Sequence, residues 1–356
     1  MSPSLALRYW PPLLQWLALI ILAGSAGQLL NSLQLPAGQF VGPMLVAIGF
    51  GVCGTTLRIH RQAFRLCQGT IGLLVAHSIS MAVLTAVVQS WPVMLLATVL
   101  TVLLSTAVGL VMARYGGIGA RTAAWGTSPG AASAMVSMAE DNGADGRVVA
   151  TMQYVRVVCV VMIGALVSRV LGADGTGTQA HGAVLSLAAT PLPDLAISLA
   201  VIVIGVLLGA RLPAGALLGP LLIGGVLQLC GLIHIVLPAP VLSLAYATVG
   251  CYVGLRFDRT TIAYVFKRLP AMISGSLLLI VLCALSAWLV ADLLGKDFLS
   301  VYLATSPGGL DSMAIIAVDT HSDVGLVLAM QTLRLFGVIV TGAWLARLVI
   351  RWSERA

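Results

Sequence analysis

Residues 123–157 read AAWGTSPGAASAMVSMAEDNGADGRVVATMQYVRV, and residues 302–336 read YLATSPGGLDSMAIIAVDTHSDVGLVLAMQTLRLF. Aligned on Thr127-Ser128-Pro129-Gly130 and Thr305-Ser306-Pro307-Gly308, they stay in register at an offset of 178 as far as Arg156 and Arg334. Twelve of those 30 positions are identical: Thr127, Ser128, Pro129, Gly130, Met135, Ala139, Asp141, Asp145, Val149, Met152, Gln153 and Arg156. Apolar bias alone does not align Asp, Gln, Arg and Pro together. The sequence therefore reads as an internal duplication, and a repeat of this kind governs the rest of the reading.

The likeness extends outward from the two TSPG blocks. Leu35-Pro36-Ala37-Gly38 returns as Leu212-Pro213-Ala214-Gly215, and Gly42-Pro43 as Gly219-Pro220, at an offset of 177. Gly72 matches Gly250 and Pro92 matches Pro270 at 178. The repeats cover residues 13–171 and 194–350, and a Gly-, Ala- and Thr-rich linker, 172–193, joins them. Apolar runs fall near 13–30, 40–54, 66–88, 92–113 and 148–170 in the first repeat. In the second they fall near 195–210, 216–234, 241–255, 270–291 and 325–347. The TSPG segments, 122–140 and 300–318, lie between the last two runs of each repeat and carry a helix breaker. Arg8, the following apolar run and Gly24-Ser25-Ala26-Gly27 have the form of a signal peptide, but the run has a counterpart deep in the chain, so residues 13–30 are expected to remain as a span.

Composition agrees. Of 356 residues, 59% are hydrophobic and 9% charged, against about 25% charged in a soluble domain, and mean hydropathy is +1.04. A water-soluble fold of this size and intrinsic disorder are both excluded. The net charge of +7 calls for no nucleic acid, because Lys and Arg collect in cytoplasmic loops as a topology signal. If each TSPG segment crossed the bilayer, Lys and Arg would divide 11 inside and 6 outside. If each dips in and returns, 15 lie inside: Arg8, Arg58, Arg61, Arg65, Arg114, Arg121, Arg147, Arg211, Arg256, Arg259, Lys267, Arg268, Arg347, Arg351 and Arg355. Arg169 and Lys296 are then outside, and Arg156 and Arg334 stay within the membrane. The second arrangement obeys the positive-inside rule better. The expected fold is an all-α polytopic membrane protein: two inverted repeats of about five transmembrane helices each, with a broken or re-entrant TSPG helix in each. Such inversion is common among secondary transporters.

The repeats, and above all the two TSPG blocks, resemble the membrane AbrB family of bacteria over nearly the whole chain. This family is unrelated to the small β-rich DNA-binding regulator of the same name. The resemblance implies a multi-pass inner-membrane protein with a duplicated AbrB domain. Family labels are regulator of gene expression and, for some members, ammonia monooxygenase. Neither comes with a mechanism or with catalytic residues to transfer.

Four groups of residues can carry chemistry. Thr127 or Ser128 can cap a helix whose first position is Pro129, and Thr305 or Ser306 one that starts at Pro307, since Pro at N1 wastes no N–H. Gly130 and Gly308 would then admit a backbone or ligand. Two such helix starts at depth would present free N–H groups and partial positive charge to an anion, the alternative being ordinary packing kinks. Arg156 and Arg334, each about eight residues into a helix, share a face with Gln153 and Gln331 and are expected near the bilayer centre. They either touch a solute or satisfy carbonyls of the broken helices. Asp145 and Asp323 suit helix caps, and Asp141 and Asp319 the same connections. Asp311, matched by Ser133, is free of the repeat's demands and is the candidate for proton or cation coupling.

The six cysteines lack CxxC spacing and the five histidines are scattered, so no metal site, cofactor or catalytic group is expected. The reading that best fits is a secondary transporter or permease for a small anionic solute, with the lipid bilayer as its surroundings, both termini cytoplasmic and self-association left open. The alternatives are a membrane regulator or sensor of gene expression and, with least support, a membrane monooxygenase.

Overall fold

The computed structural model describes residues 7, 10–77, 81, 85, 88–130, 132–171, 184–185, 192–212 and 214–338. Most of the expected linker, Pro213, Arg8 and the end of the last apolar run with Arg347, Arg351 and Arg355 lie outside the described residues. The described chain is almost entirely helical. Five helical stretches, Pro12–Ser32, Trp91–Tyr115, Gly146–Val170, Pro193–Arg211 and Arg259–Leu294, are long and apolar enough to cross a membrane. The apolar helices Gly38–Val52, Gly215–Leu229, Ala239–Gly254 and Val324–Val338 are shorter. At 1.5 Å per residue, 15 residues reach only about 22 Å, less than the ~30 Å hydrocarbon core.

Two compact units divide the chain, and both draw on both repeats. The first comprises residues 1–85, 165–259 and 314–325. Its helices are α1 (Pro12–Ser32), α2 (Gly38–Val52) and α3 (Arg61–His77). From the second repeat come α8 (Leu192–Leu208), α9 (Gly215–Leu229) and α10 (Ala239–Gly254). A short parallel pairing joins Val184–Leu185 to Leu237–Pro238. Helices α2 and α9 start alike, each from an alanine in the left-handed region: Ala37 at φ 56° and Ala214 at φ 54°. Each holds an internal proline at the repeated position, Pro43 and Pro220.

Packing in this unit is crosswise. Helix α2 lies on α10 and α3 lies on α9, while α1 backs α2 and α8 backs α9. Along the first pair, Ser243 Oγ donates to Gln39 Oε1 at 2.8 Å, and Cys251 Sγ lies 3.6 Å from the Pro43 carbonyl. A side chain at Gly51 would meet the carbonyl of Phe257. The residue numbers rise together, so α2 and α10 are parallel. Along the second pair, Gly72 faces the Leu217 carbonyl and Gln228 Nε2 donates to the His77 carbonyl at 3.1 Å, so α3 and α9 are also parallel. Helix α3 runs against α10: Phe64 stacks on Tyr252 with centroids 3.7 Å apart, and Cys67 meets Thr248. The close approaches need glycine at matched places. A Cβ on Gly72 would strike the Leu217 carbonyl, and one on Gly250 the Phe40 carbonyl.

The second unit comprises residues 86–164, 260–313 and 326–356. It contains α4 (Trp91–Tyr115), α5 (Ala120–Thr127), α6 (Ala132–Asp141) and α7 (Gly146–Val170). It also contains α11 (Arg259–Val265) and the counterparts of those four helices: α12 (Leu269–Leu294), α13 (Phe298–Thr305), α14 (Leu310–Asp319) and α15 (Val324–Val338). Helices α7, α11, α14 and α15 each run partly into the first unit's residue ranges. Helix α4 packs on α12, α5 on α4, and α13 on α12. Aspartates fix two helix starts. Asp145 Oδ1 accepts from the N–H groups of Arg147 and Val148 at 3.0 and 3.2 Å, and Asp297 Oδ2 accepts from Ser300 N–H at 2.8 Å. The first is the cap expected from the sequence.

Candidate functional site

Each TSPG block is the break between two short helices, α5 and α6 in one case and α13 and α14 in the other. It does not open a helix at proline. Helix α5 ends at Thr127 with Ser128 as its C-cap, and α13 ends at Thr305 with Ser306 as its C-cap. The hydroxyls turn backwards: Thr127 Oγ1 donates to the Ala123 carbonyl at 2.9 Å, Ser128 Oγ to Ala124 at 2.8 Å, and Thr305 Oγ1 to Val301 at 2.9 Å. Helices α6 and α14 begin beyond the block, at Ala132 and Leu310. The expected positions of Pro129 and Pro307 at N1 are thus corrected. Proline's missing N–H breaks the ladder here, and the preceding carbonyls are left to be satisfied elsewhere.

Arg156 and Gln153 satisfy them in the first repeat. Arg156 Nη1 donates to the carbonyls of Thr127 at 3.3 Å and Ser128 at 3.0 Å. Gln153 Nε2 donates to Trp125, Gly126 and Ser128 carbonyls at 3.1, 3.2 and 3.0 Å. Arg156 Nη2 in turn donates to Gln153 Oε1 at 2.7 Å. The second repeat builds the same clamp. Arg334 Nη1 reaches the carbonyls of Thr305 at 3.4 Å and Ser306 at 2.7 Å, and Nη2 reaches Gly308 at 3.2 Å and Gln331 Oε1. Gln331 Nε2 reaches Leu303 at 2.9 Å and Ser306 at 3.1 Å. Cations at helix C-termini are favoured by the dipole and by the unpaired carbonyls. Broken backbone at membrane depth is tolerated where such partners exist.

The clamps do not exhaust the arginines. Both are buried, with 4% and 5% of their surface exposed. Each Nε–H is buried and without a partner among the described residues. Neither guanidinium is within ion-pair distance of a carboxylate among the described residues. The two cations instead lie within electrostatic reach of one another and of the Cys283 thiol on α12, which is fully buried. Sequence reading missed Cys283, since only the fold carries it to both arginines. A crevice beside Arg156, among Met112, Gly126, Met152, Gly275 and Ser276, has room for roughly one water molecule.

The other expected residues divide. Gly130 and Gly308 are crowded by the side chains of Met135 and Met313, five residues on, rather than by approaching backbone. Asp311 stands in the first turn of α14, half-buried, where the helix dipole favours a carboxylate. Asp141 and Asp319 end α6 and α14 rather than lying in the connections. Among the described residues no group of three His, Cys, Asp or Glu side chains could hold a metal ion.

Long apolar helices, with breaks whose carbonyls are held by buried Arg–Gln pairs, define a multi-span helical protein of membrane type. The family model described as "Transition state regulatory protein AbrB" matches residues 39–350. A protein of Escherichia coli (strain K12) named "Putative regulator AbrB" is 39% identical over 346 residues, which cover 97% of this chain and 99% of that protein. "Uncharacterized protein YhjN" of Bacillus subtilis (strain 168) is 27% identical over 353 residues, 92% of this chain and 91% of that one. The chain belongs to the AbrB family.

Proposed function

We propose that the chain is a secondary transporter or permease of the bacterial inner membrane for a small anionic solute. The observation that carries this reading is the pair of buried guanidiniums, each with an unpartnered Nε–H and with no carboxylate to neutralise it among the described residues. Carbonyl dipoles offset part of that charge. An anion reaching the free Nε–H groups would offset the rest, and Arg suits carboxylate or phosphate recognition. The crevice is too small for a solute as it stands, so loading requires the site to open. The residues proposed to face the solute are those of the two TSPG blocks with Gln153, Arg156, Gln331 and Arg334. Asp311 is the proposed coupling group.

Helix direction in the first unit supports inverted repeats. Helix α2 runs with α10, α10 runs against α3, and α3 runs with α9. Helices α2 and α9, matched in the repeat, therefore run oppositely, as an odd number of crossings per repeat requires. Cytoplasmic termini and a periplasmic linker complete the proposal.

The test is anion-dependent stabilisation of the purified protein, followed by flux into proteoliposomes. A ligand bound to the native state raises its melting temperature by mass action. Arg156→Lys and Arg334→Lys, each first shown to be folded, should bind more weakly because Lys keeps charge and loses the planar fork. Wild-type affinity in both variants removes the arginines from the site. The name of the Escherichia coli relative favours a regulator as the second reading. Binding without flux would select sensing over transport.

A further inference from the structure

The crevice beside Arg156 lies where the last turns of α4 meet the first turns of α12, and two methionines line it. Their depth follows from the contacts. Gly109 on α4 faces Thr127 Oγ1, and Arg156 holds the Thr127 carbonyl, so Gly109 marks the level of the clamp. Met112 is about one turn nearer the end of α4 at Tyr115. Met152 precedes Arg156 by about one turn, toward the start of α7 at Gly146. Those helix ends lie together: Tyr264, shortly before α12, donates its hydroxyl to Asp145 Oδ2 at 2.7 Å. They carry the exposed cations Arg114, Arg147 and Lys267. Both methionines therefore stand between the clamp and a basic rim.

Each sulfur rests on bare backbone. A Cβ on Gly275 would run into the Met112 sulfur, and one on Gly126 into the Met152 sulfur. Both methionines are buried. An unbranched, flexible side chain can leave such a notch while the backbone stays still. The repeat does not demand the notches. At an offset of 178, Gly126 is matched by Ala304, Gly275 by Ala97 and Met112 by Val290. The matched positions in the other repeat thus carry a Cβ at each notch and a stiff, β-branched residue in place of Met112. Glycine is also a poorer helix former than alanine, so helix stability does not explain Gly126 or Gly275.

We propose that Met112 and Met152 form a gate over Arg156, leaving the Gly275 and Gly126 notches to admit an anion from the side of Arg114, Arg147 and Lys267. The inference rests on the anion-site reading above and adds the side of entry and the residues that control it. With both sulfurs seated, the crevice holds roughly one water molecule. With both withdrawn, the unpartnered Nε–H of Arg156 comes within reach of a carboxylate-sized group. The cations of the rim raise the local concentration of anions at the mouth.

The experiment is thiol labelling of the purified full chain in detergent, otherwise Cys-free and carrying Ser276→Cys. Ser276 lines the crevice, and its hydroxyl donates to the Met272 carbonyl of its own helix. The probes are sulfonatoethyl methanethiosulfonate, an anion, and trimethylammonioethyl methanethiosulfonate, a cation. Each rate is compared with that of the parent carrying both methionines. Met112→Ala with Met152→Ala removes the plugs and should speed the anionic reagent about tenfold or more, and the cationic one less. Met112→Leu with Met152→Leu conserves volume but stiffens the plugs, and should slow the anionic reagent below the parent. Unchanged labelling in the Ala pair overturns the proposal, as does equal acceleration of the two reagents, since an uncovered Arg156 must favour the anion. A Leu pair that labels at the parent's rate reduces the methionines to packing and overturns it too, and this arm decides the matter if the Ala pair fails to fold. No solute or flux enters the measurement, so an absence of anion binding and the failure of the gate are separate results.

Discussion

Arg334→Met probes the clamp directly, because methionine keeps an unbranched apolar stem and deletes every donated bond. The carbonyls of Thr305, Ser306 and Gly308 and the amide oxygen of Gln331 all lose this donor. Ser306 keeps the Gln331 amide at 3.1 Å, and the Thr305 contact is already long at 3.4 Å. Two acceptors are therefore seriously affected. At about 1–3 kcal/mol for each stranded buried group, the loss is about 2–6 kcal/mol. Removing a buried cation that repels Arg156 returns part of this, so a net destabilisation of about 2–4 kcal/mol is expected. Gln331→Leu affects chiefly the Leu303 carbonyl, since Ser306 retains Arg334 at 2.7 Å, and should cost about 1–3 kcal/mol. Reversible unfolding in mixed micelles, with far-UV circular dichroism as the readout, measures both. An Arg334→Met protein within about 0.5 kcal/mol of wild type, the range of an ordinary surface change, would refute the clamp and leave the guanidinium facing open space.

The remaining predictions concern packing, topology and coupling. Gly72→Ala and Gly250→Ala each drive a Cβ into a facing carbonyl and should lower stability by about 1–3 kcal/mol; Gly24→Ala, with nothing within 4 Å, is the neutral control in the same melting assay. Cysteines at 39 and 243 in an otherwise Cys-free chain should be bridged by a short flexible bis-thiol reagent, because the Ser243 hydroxyl and the end of the Gln39 side chain meet at 2.8 Å; no bridging in folded protein with reagents of any length up to about 10 Å removes the pairing of α2 and α10. A cysteine replacing His181 should label from the periplasmic side, and labelling from the cytoplasm alone would sink the inverted arrangement. Asp311→Asn should spare solute binding and abolish pH-driven uptake in proteoliposomes; undiminished pH-driven flux removes Asp311 as the coupling group.

The repeated TSPG block announced broken helices because proline and glycine in the same order, 178 residues apart, cannot both be accidents of apolar sequence. Which side of each break would need partners was less legible. Ser-Pro reads as a helix start, yet Thr127 and Ser128 close α5, and their carbonyls are held by residues 25 to 29 positions later. Gln153 and Arg156 were visible as neighbours on one face, since a spacing of three is local. Their targets were not, because sequence does not say how a helix hairpin folds back. The same limit hid the bond from Ala37 to Asp319 and the approach of Cys283 to both arginines. The lengths of α2, α9 and α10 show the limit from another side. At 15 or 16 residues they fall short of a full bilayer crossing by length alone, and packing against parallel neighbours identifies them as part of the helical core.

Crosswise pairing has a consequence for biosynthesis. Helices α2 and α3 emerge from the ribosome long before α10 and α9, the helices they pack against. With about 180 residues between matched positions and translation at roughly 5–20 residues per second, the early pair waits roughly ten to forty seconds. During that wait Gly51 on α2 and Gly72 on α3, which close on the Phe257 and Leu217 carbonyls of the second half, stay uncovered. The nascent first half is thus an orphan rather than a finished module, open to membrane proteases or holding factors until its partner strand of sequence arrives. Expressed as two separate halves, the chain should accumulate only when both are made in the same cell.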